Sequence, residues 1–475
     1  MVMKRIFSLV LSIFIAMTFF FCSAQAKENE LGLTYEQYQL PNGLLPLGVL
    51  GIHFLMHFSA HFYAGLVGYE AVSGNRGGYF GLGVDAGLQY PLYQSLWTDA
   101  GLRVGGAGGQ NSPVGGGLFL QPYIGLKYCF PLFAAEVTYS YIDFPSGQIS
   151  SDQIGLGFSF PLQTFSQHKH EKNYMAILVR NSFPESTTKD TAGKKDAAQF
   201  QSLGIEVGHF FTKTLFAFGN FVGALHGRLN GYAQSILGIG YAYPFTTSKK
   251  FSLIGKMGAG SAGGGAVDTG GGLMIEPSVG LEYRFIRTMG VECNVSYVNA
   301  INGSFSAKEA NLLLKYYFDK NQSTDRFLKQ WRIRILNQTY LNPRVNSGEN
   351  NPNMQLLGID IDYLIKKHYY ATGQTAFAYS GRKTGGYFSG MLGIGVESSV
   401  VSSHFPVSIF SEILVGTAGG AGLDISSGAL YEPVIGLNEA INAVVALQVS
   451  AGRLIAVRGH FNSTTINVGL TFLWA

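Results

Sequence analysis

Along much of this chain apolar and polar residues take turns. Leu273, Ile275, Pro277, Val279, Leu281, Tyr283 and Phe285 alternate with Met274, Glu276, Ser278, Gly280, Glu282 and Arg284. A period of two with one apolar face predicts a β-strand. An earlier stretch repeats the pattern: Leu118, Leu120, Pro122, Ile124, Leu126, Tyr128 and Phe130 stand against Phe119, Gln121, Tyr123, Gly125 and Lys127. A proline inside a central strand normally argues against the assignment. Its recurrence at Pro122, Pro277 and Pro433 marks a tolerated bulge or kink instead.

Those prolines belong to a repeat. Each ends a Gly-rich run (Gly105 to Pro122, Gly258 to Pro277, Gly416 to Pro433), and Gly-Leu follows after two residues, at Gly125, Gly280 and Gly436. A second marker, Leu50-Gly51-Ile52, Leu203-Gly204-Ile205 and Leu357-Gly358-Ile359, recurs at the same period of about 155 residues. Each copy divides into eight strand-like pieces, which in the second begin near Tyr174, Gln201, Leu215, Tyr232, Phe251, Gly272, Met289 and Ser304. The expected division is 1–26 as a signal peptide, then repeats at 27–165, 166–322 and 323–475. Connections alternate in length: Glu185 to Phe200 and Asn342 to Asn353 are long and polar, whereas Thr212-Lys213-Thr214 and Lys366-Lys367-His368 are tight. Long on one side and short on the other is the asymmetry of a barrel crossing an outer membrane.

Composition narrows the class. With 47% hydrophobic residues, 13% charged and 63 glycines, the chain is not disordered, and three cysteines do not make a disulfide scaffold. Beyond residue 26 no apolar run approaches the roughly 20 residues of a spanning helix. Lys4 and Arg5, the apolar Ile6 to Phe21 and the small-x-small Ala24-Gln25-Ala26 read as a secretory signal. Losing Lys4 and Arg5 takes the formal charge from +4 to +2. A near-neutral chain has no basic footprint for nucleic acid. Cys129 and Cys293 remain, at inequivalent places, and are expected to be free thiols.

Strands with an apolar outer face must bury it. In hydrocarbon the sheet must also close on itself, since no water satisfies a free edge. Aromatic residues near piece ends, Tyr241, Tyr243 and Phe245 or Tyr316, Tyr317 and Phe318, are placed for interfacial girdles. At the end of the chain Ile466, Val468, Leu470, Phe472 and Trp474 alternate. Here the chain resembles the bacterial outer-membrane β-barrel proteins, whose last strand closes on an aromatic residue; Ala475 departs from that pattern by one position. The resemblance implies an all-β transmembrane antiparallel barrel in the outer membrane of a Gram-negative cell. Its implied partners are outer-membrane lipid and the barrel-assembly machinery.

Three repeats of about eight strands allow one barrel of about 24 strands or three small ones. Polar links, Gln163 to Asn173 and Asp319 to Gln330, favour separable units, as do bulky inward residues Leu55, Phe119, Phe210, Met274, Leu364 and Leu430. Adjacent open sheets in one chain are also ready partners for each other, and the reading leans to a single wide barrel.

Candidate chemistry is sparse. Gly258-x-Gly260-x-x-Gly263 matches the dinucleotide fingerprint, but a strand pattern follows where that motif needs a helix. His53, Glu206 and Asp360 follow the Leu-Gly-Ile marker, and Gln121, Glu276 and Glu432 precede the proline. All six are expected to face the lumen, where they either favour cations or simply hydrogen-bond their neighbours. His168 and His170 lack further ligands at metal spacing. His226 and His460 are the candidates for lipid-modifying chemistry, yet neither recurs in the other copies. No catalytic, cofactor or metal site is therefore expected. The functional expectation is a passive channel or export pore with Gly-rich extracellular loops. The alternative is a non-conducting structural or adhesive surface protein.

Overall fold

The computed structural model describes residues 29–473 apart from 162–171, 228, 247–249, 320–330, 345–347, 350, 367, 400–405 and 443. The signal segment, His168, His170 and Trp474 lie outside the described residues.

Strands account for almost every element. The first barrel holds β1 (Glu30–Tyr38), β2 (Leu47–His57), β3 (Phe62–Ser73), β4 (Phe80–Tyr93), β5 (Leu96–Gly108), β6 (Leu118–Cys129), β7 (Ala134–Asp143) and β8 (Ser150–Pro161). The second holds β9 (Lys172–Pro184), β10 (Phe200–Phe210), β11 (Leu215–His226), β12 (Ala233–Pro244), β13 (Phe251–Gly263), β14 (Leu273–Ile286), β15 (Met289–Ala300) and β16 (Ser306–Asp319). The third holds β17 (Trp331–Leu341), β18 (Met354–Lys366), β19 (Tyr369–Ser380), β20 (Phe388–Glu397), β21 (Val407–Gly419), β22 (Ala429–Ala440), β23 (Val445–Ala456) and β24 (Asn462–Leu473). One short 3-10 turn, Pro41–Gly43, sits between β1 and β2.

Each set of eight strands closes on itself. Glu30 to Tyr35 of β1 pair with Pro161 to Leu156 of β8; β9 pairs with β16 along its whole length, and Arg332 to Leu341 of β17 pair with Leu473 to Thr464 of β24. The single wide barrel favoured by the sequence reading is thereby overturned. The reason lies in the lumen. Inward side chains on β1 and β5, such as Glu36 and Arg103, meet across it, and only a barrel of about eight strands is narrow enough for that.

The alternation read in β14 holds in space. Val279, Leu281, Tyr283 and Phe285 are exposed, while Met274, Glu276 and Glu282 are buried. Exposed apolar residues ring all three barrels, among them Ile124, Leu126, Tyr139 and Ile154 in the first and Ile413, Ile435 and Val449 in the third. Closed sheets with apolar outer walls are solutes for hydrocarbon, not water. The architecture is that of a transmembrane β-barrel, three times over. Tyr241, Tyr243 and Phe245 face outward near strand ends as expected of a girdle, but Tyr317 turns inward and is buried. Of the bulky inward set, Leu55, Phe119, Phe210, Met274 and Leu430 are buried, while Leu364 is only half-buried.

The recurrent prolines open the ladder without shifting it. Between β6 and β7 pairing runs from Leu120↔Asp143 to Tyr123↔Ser140, and Gln121 and Pro122 are skipped. The same two positions are skipped at Glu276 and Pro277, and at Glu432 and Pro433. On the other side the pairs Leu102↔Pro122, Met257↔Pro277 and Ile413↔Pro433 are intact. Proline has no N–H to give, so its missing donor faces the strand that has already parted.

The three barrels pack around a pseudo-threefold axis. The third strand of each meets the fifth of the next in a cycle: β3 with β13, β11 with β21, β19 with β5. On the axis Phe80, Phe221 and Phe388, one from each barrel, have centroids 6.1 Å and 6.3 Å apart. The Gly-rich runs lie in these seams. Gly77 N donates to Gly270 O at 2.8 Å, and Gly385 N to Gly115 O at 3.0 Å. Gly78, Gly231 and Gly386 all have positive φ (89°, 81° and 89°) and face Gly264, Gly420 and Gly109 of the neighbouring barrel. A Cβ on Gly386 would come within 2.5 Å of Gly109 N. Glycine is required here twice over, for its conformation and for backbone-to-backbone approach.

Candidate functional site

The lumens are filled by side chains, and alternation alone puts them there. In barrel 1, Arg103 donates to Glu36 Oε1 at 3.1 Å and to Asp85 Oδ2 at 3.3 Å, with its guanidinium 4.1 Å from the Tyr123 ring. His53 lies between Asp85 (Nδ1 to Oδ2, 3.2 Å) and Thr34 (Nε2 to Oγ1, 2.9 Å). Gln121 donates to Ser140 Oγ at 3.1 Å and accepts from Tyr69 OH at 2.7 Å. Lys127 pairs with Glu30.

Barrel 2 repeats the principle with different residues. Glu206 accepts from Lys256 Nζ at 2.6 Å and from Tyr174 OH at 2.7 Å, and Lys256 also reaches Glu292 at 2.8 Å. Glu276 accepts from Arg180 Nη2 at 2.8 Å and from Gln234 Nε2 at 2.7 Å. Arg180 further contacts Glu309 at 3.3 Å and Asn311 at 2.8 Å. In barrel 3, Arg334 sits among Asp360 (3.3 Å), Asp362 (2.8 Å) and Glu412 (2.7 Å). Arg332 pairs with Asp362 and Glu397, and Glu432 accepts from Thr465.

All six residues singled out from the sequence are buried inside the barrels, two in each. The structure does not gather them into one site. It sets Glu206 beside Lys256, Glu276 beside Arg180 and Asp360 beside Arg334, cations the sequence reading missed, while His53, Gln121 and Glu432 meet neutral or acidic partners. Lys127 and Arg284 already stand at inward positions of the alternation, so the signal existed. Glu206, Glu276 and Asp360 each have a cation within 3.3 Å, whereas Glu432, among the described residues, accepts from Thr465 alone.

Thr34, His53 and Asp85 have the connectivity of a hydroxyl, a base and an orienting carboxylate. The arrangement has no room for a substrate. The cavity they line with Tyr63, Tyr123 and Lys127 is about 20 Å³, room for about one water molecule. His226 and His460 stand at the loop end instead. His226 Nδ1 is 3.2 Å from Arg458 of the third barrel, and His460 Nδ1 is 3.0 Å from Asp424. Gly258, Gly260 and Gly263 lie within strand β13 rather than at a helix start. Among the described residues no three His, Cys, Asp or Glu side chains form a metal-binding group, and Cys129 and Cys293 are free.

A larger depression opens at the long-loop end of barrel 1. It is about 390 Å³ and is lined by Leu44, Leu45, Asn75, Arg76, Gln110 and Asn111.

No protein-family model and no curated protein matches the chain. Among solved structures it is similar to the ferric enterobactin receptor of Pseudomonas aeruginosa (9% identity, TM-score 0.29, 95% of this chain and 81% of that one). The copper transporter OprC aligns at 12% identity and TM-score 0.30, over 94% and 81% of the two chains. The siderophore receptor PirA of Acinetobacter baumannii aligns at 9% and 0.29, over 95% and 81%. Likeness at this distance carries no argument about what the present chain binds or moves.

Proposed function

We propose that this protein is a non-conducting outer-membrane platform: three filled barrels locked side by side, holding a fused cap of loops at the outer surface. The observation that carries this reading is the content of the lumens. Arg180 and Arg334, both with carboxylates on more than one facing strand, are about as buried as any side chain in the molecule. An ion crossing either barrel has to part these networks, and breaking a buried ion pair costs about 3–5 kcal/mol for each partner lost. The glycine seams support the same role, because they turn three barrels into one rigid surface in place of three independent ones. Outer-membrane lipid and the barrel-assembly machinery are the partners this reading requires.

A passive channel or export pore is the competing reading, and the loop asymmetry alone is compatible with it. Planar-bilayer recordings on purified, folded protein separate the two. The platform gives a silent membrane at neutral pH. Regular conductance steps that scale with the protein added refute it and favour the pore.

A further inference from the structure

The three outer mouths are not equivalent. In barrels 2 and 3 a long first loop lies across the mouth. Thr191 N donates to Ala266 O at 2.8 Å and Lys189 N to Ser304 Oγ at 3.0 Å, tying residues 185–199 to the fifth and seventh loops. In barrel 3, Asp424 N donates to Arg344 O at 3.3 Å and Asn351 Nδ2 to Arg382 O at 3.1 Å. The first loop of barrel 1 is the short segment 39–46. Among the described residues it makes no hydrogen bond to the third or fifth loop.

A difference at one position of the repeat accompanies the missing cover. The third loops share one turn, in which Tyr79 N bonds Arg76 O, Tyr232 N bonds Leu229 O, and Tyr387 N bonds Thr384 O. Arg76 therefore stands where the other barrels have buried Leu229 and Thr384. Its Nη1 donates to Gln110 O and Asn111 O, both at 2.9 Å, and it makes no ion pair among the described residues. Burial with no facing carboxylate lowers its pKa from the usual arginine value. Beside it, Leu44 and Leu45 are 42% and 58% exposed in a loop rather than against lipid.

We infer that the open mouth of barrel 1 is a binding site for small anions that carry an apolar group, with carboxylate or phosphate on Arg76 and the apolar part against Leu44 and Leu45. Two backbone carbonyls hold the guanidinium through one nitrogen, leaving Nε and Nη2 for the fork-like contacts that such anions make best. The roughly 390 Å³ depression is within the size range of ordinary ligand sites. The inference is independent of whether the barrels conduct.

The test is calorimetric titration of the full protein in lipid nanodiscs, against empty nanodiscs, with benzoate, phenyl phosphate, inorganic phosphate and benzyl alcohol. Saturable binding of benzoate or phenyl phosphate is expected, with inorganic phosphate weaker and benzyl alcohol absent. Whichever of the two binds tells carboxylate from phosphate recognition. Arg76→Gln should weaken binding by about tenfold or more, and Arg76→Lys much less. Leu45→Ser should weaken the aromatic anions without changing inorganic phosphate, which keeps the test alive should Arg76→Gln not fold. No saturable binding by the unaltered protein, benzyl alcohol binding equally well, or Arg76→Gln binding undiminished would each overturn the proposal.

Discussion

Replacing Arg180 by methionine is the sharpest perturbation of a filled lumen. Arg180 is fully buried in barrel 2 between Glu276 (2.8 Å) and Glu309 (3.3 Å). Methionine approximates its length and removes its charge, leaving two carboxylates facing each other out of water. Breaking a buried pair in this way costs about 3–5 kcal/mol, whereas an exposed pair in a water-filled channel is worth at most about 1 kcal/mol. The two cases differ enough to measure. Urea unfolding in detergent micelles, followed by far-ultraviolet circular dichroism, should show one barrel melting ahead of the others. For a denaturant slope of about 2 kcal/mol/M, its midpoint falls by roughly 2 M. Adding Glu276→Gln and Glu309→Gln to the same chain should restore most of that loss, because the neutral amides no longer need a cation. A midpoint within about 0.5 M of the parent for Arg180→Met alone would mean that water reaches these groups, and the reasoning would fail.

Three further outcomes follow from the packing. Gly386→Val forces a side chain onto Gly109 of the neighbouring barrel at a φ of 89°. It should leave each barrel folded but open the third loop of barrel 3 to protease, and unchanged cleavage would count against the seam. Phe388→Ala removes the ring that meets Phe80, Phe221 and Phe377. The loss of about 3 kcal/mol expected for a buried aromatic should appear as separation of the barrels under mild heating, with each barrel still resistant to cold SDS. Cys293 is exposed on a strand whose outer face is apolar. In liposomes it should react with a lipid-soluble maleimide and resist a charged one, and equal reaction with both would place that face in water.

The strands were largely legible in the chain. Phe251 and Met289 begin strands where the alternation places them, and Ala233 and Leu273 begin theirs one residue later than expected. A period of two marks an element wherever one face is apolar, and it needs no knowledge of partners. Closure was not legible in the same way. Whether β8 pairs with β1 or with β9 depends on how inward side chains fill the lumen, and that is settled between residues such as Glu36 and Arg103, far apart in sequence. The glycine runs were visible but their purpose was not. Their neighbours across the seam, Gly78 with Gly264 and Gly231 with Gly420, belong to different repeats, so no local reading could distinguish a close approach from a flexible tip. The inward acids were found by position, yet their cations were overlooked because the marker residues do not single out Arg180 or Lys256.

Three closed sheets, rather than one, are the claim on which the rest depends, and an image of the protein in lipid nanodiscs by electron cryo-microscopy tests it most directly. Three narrow rings around a common axis are expected, each with density across its centre and joined at the long-loop end. A single ring of about three times the circumference, with an empty middle, would contradict it.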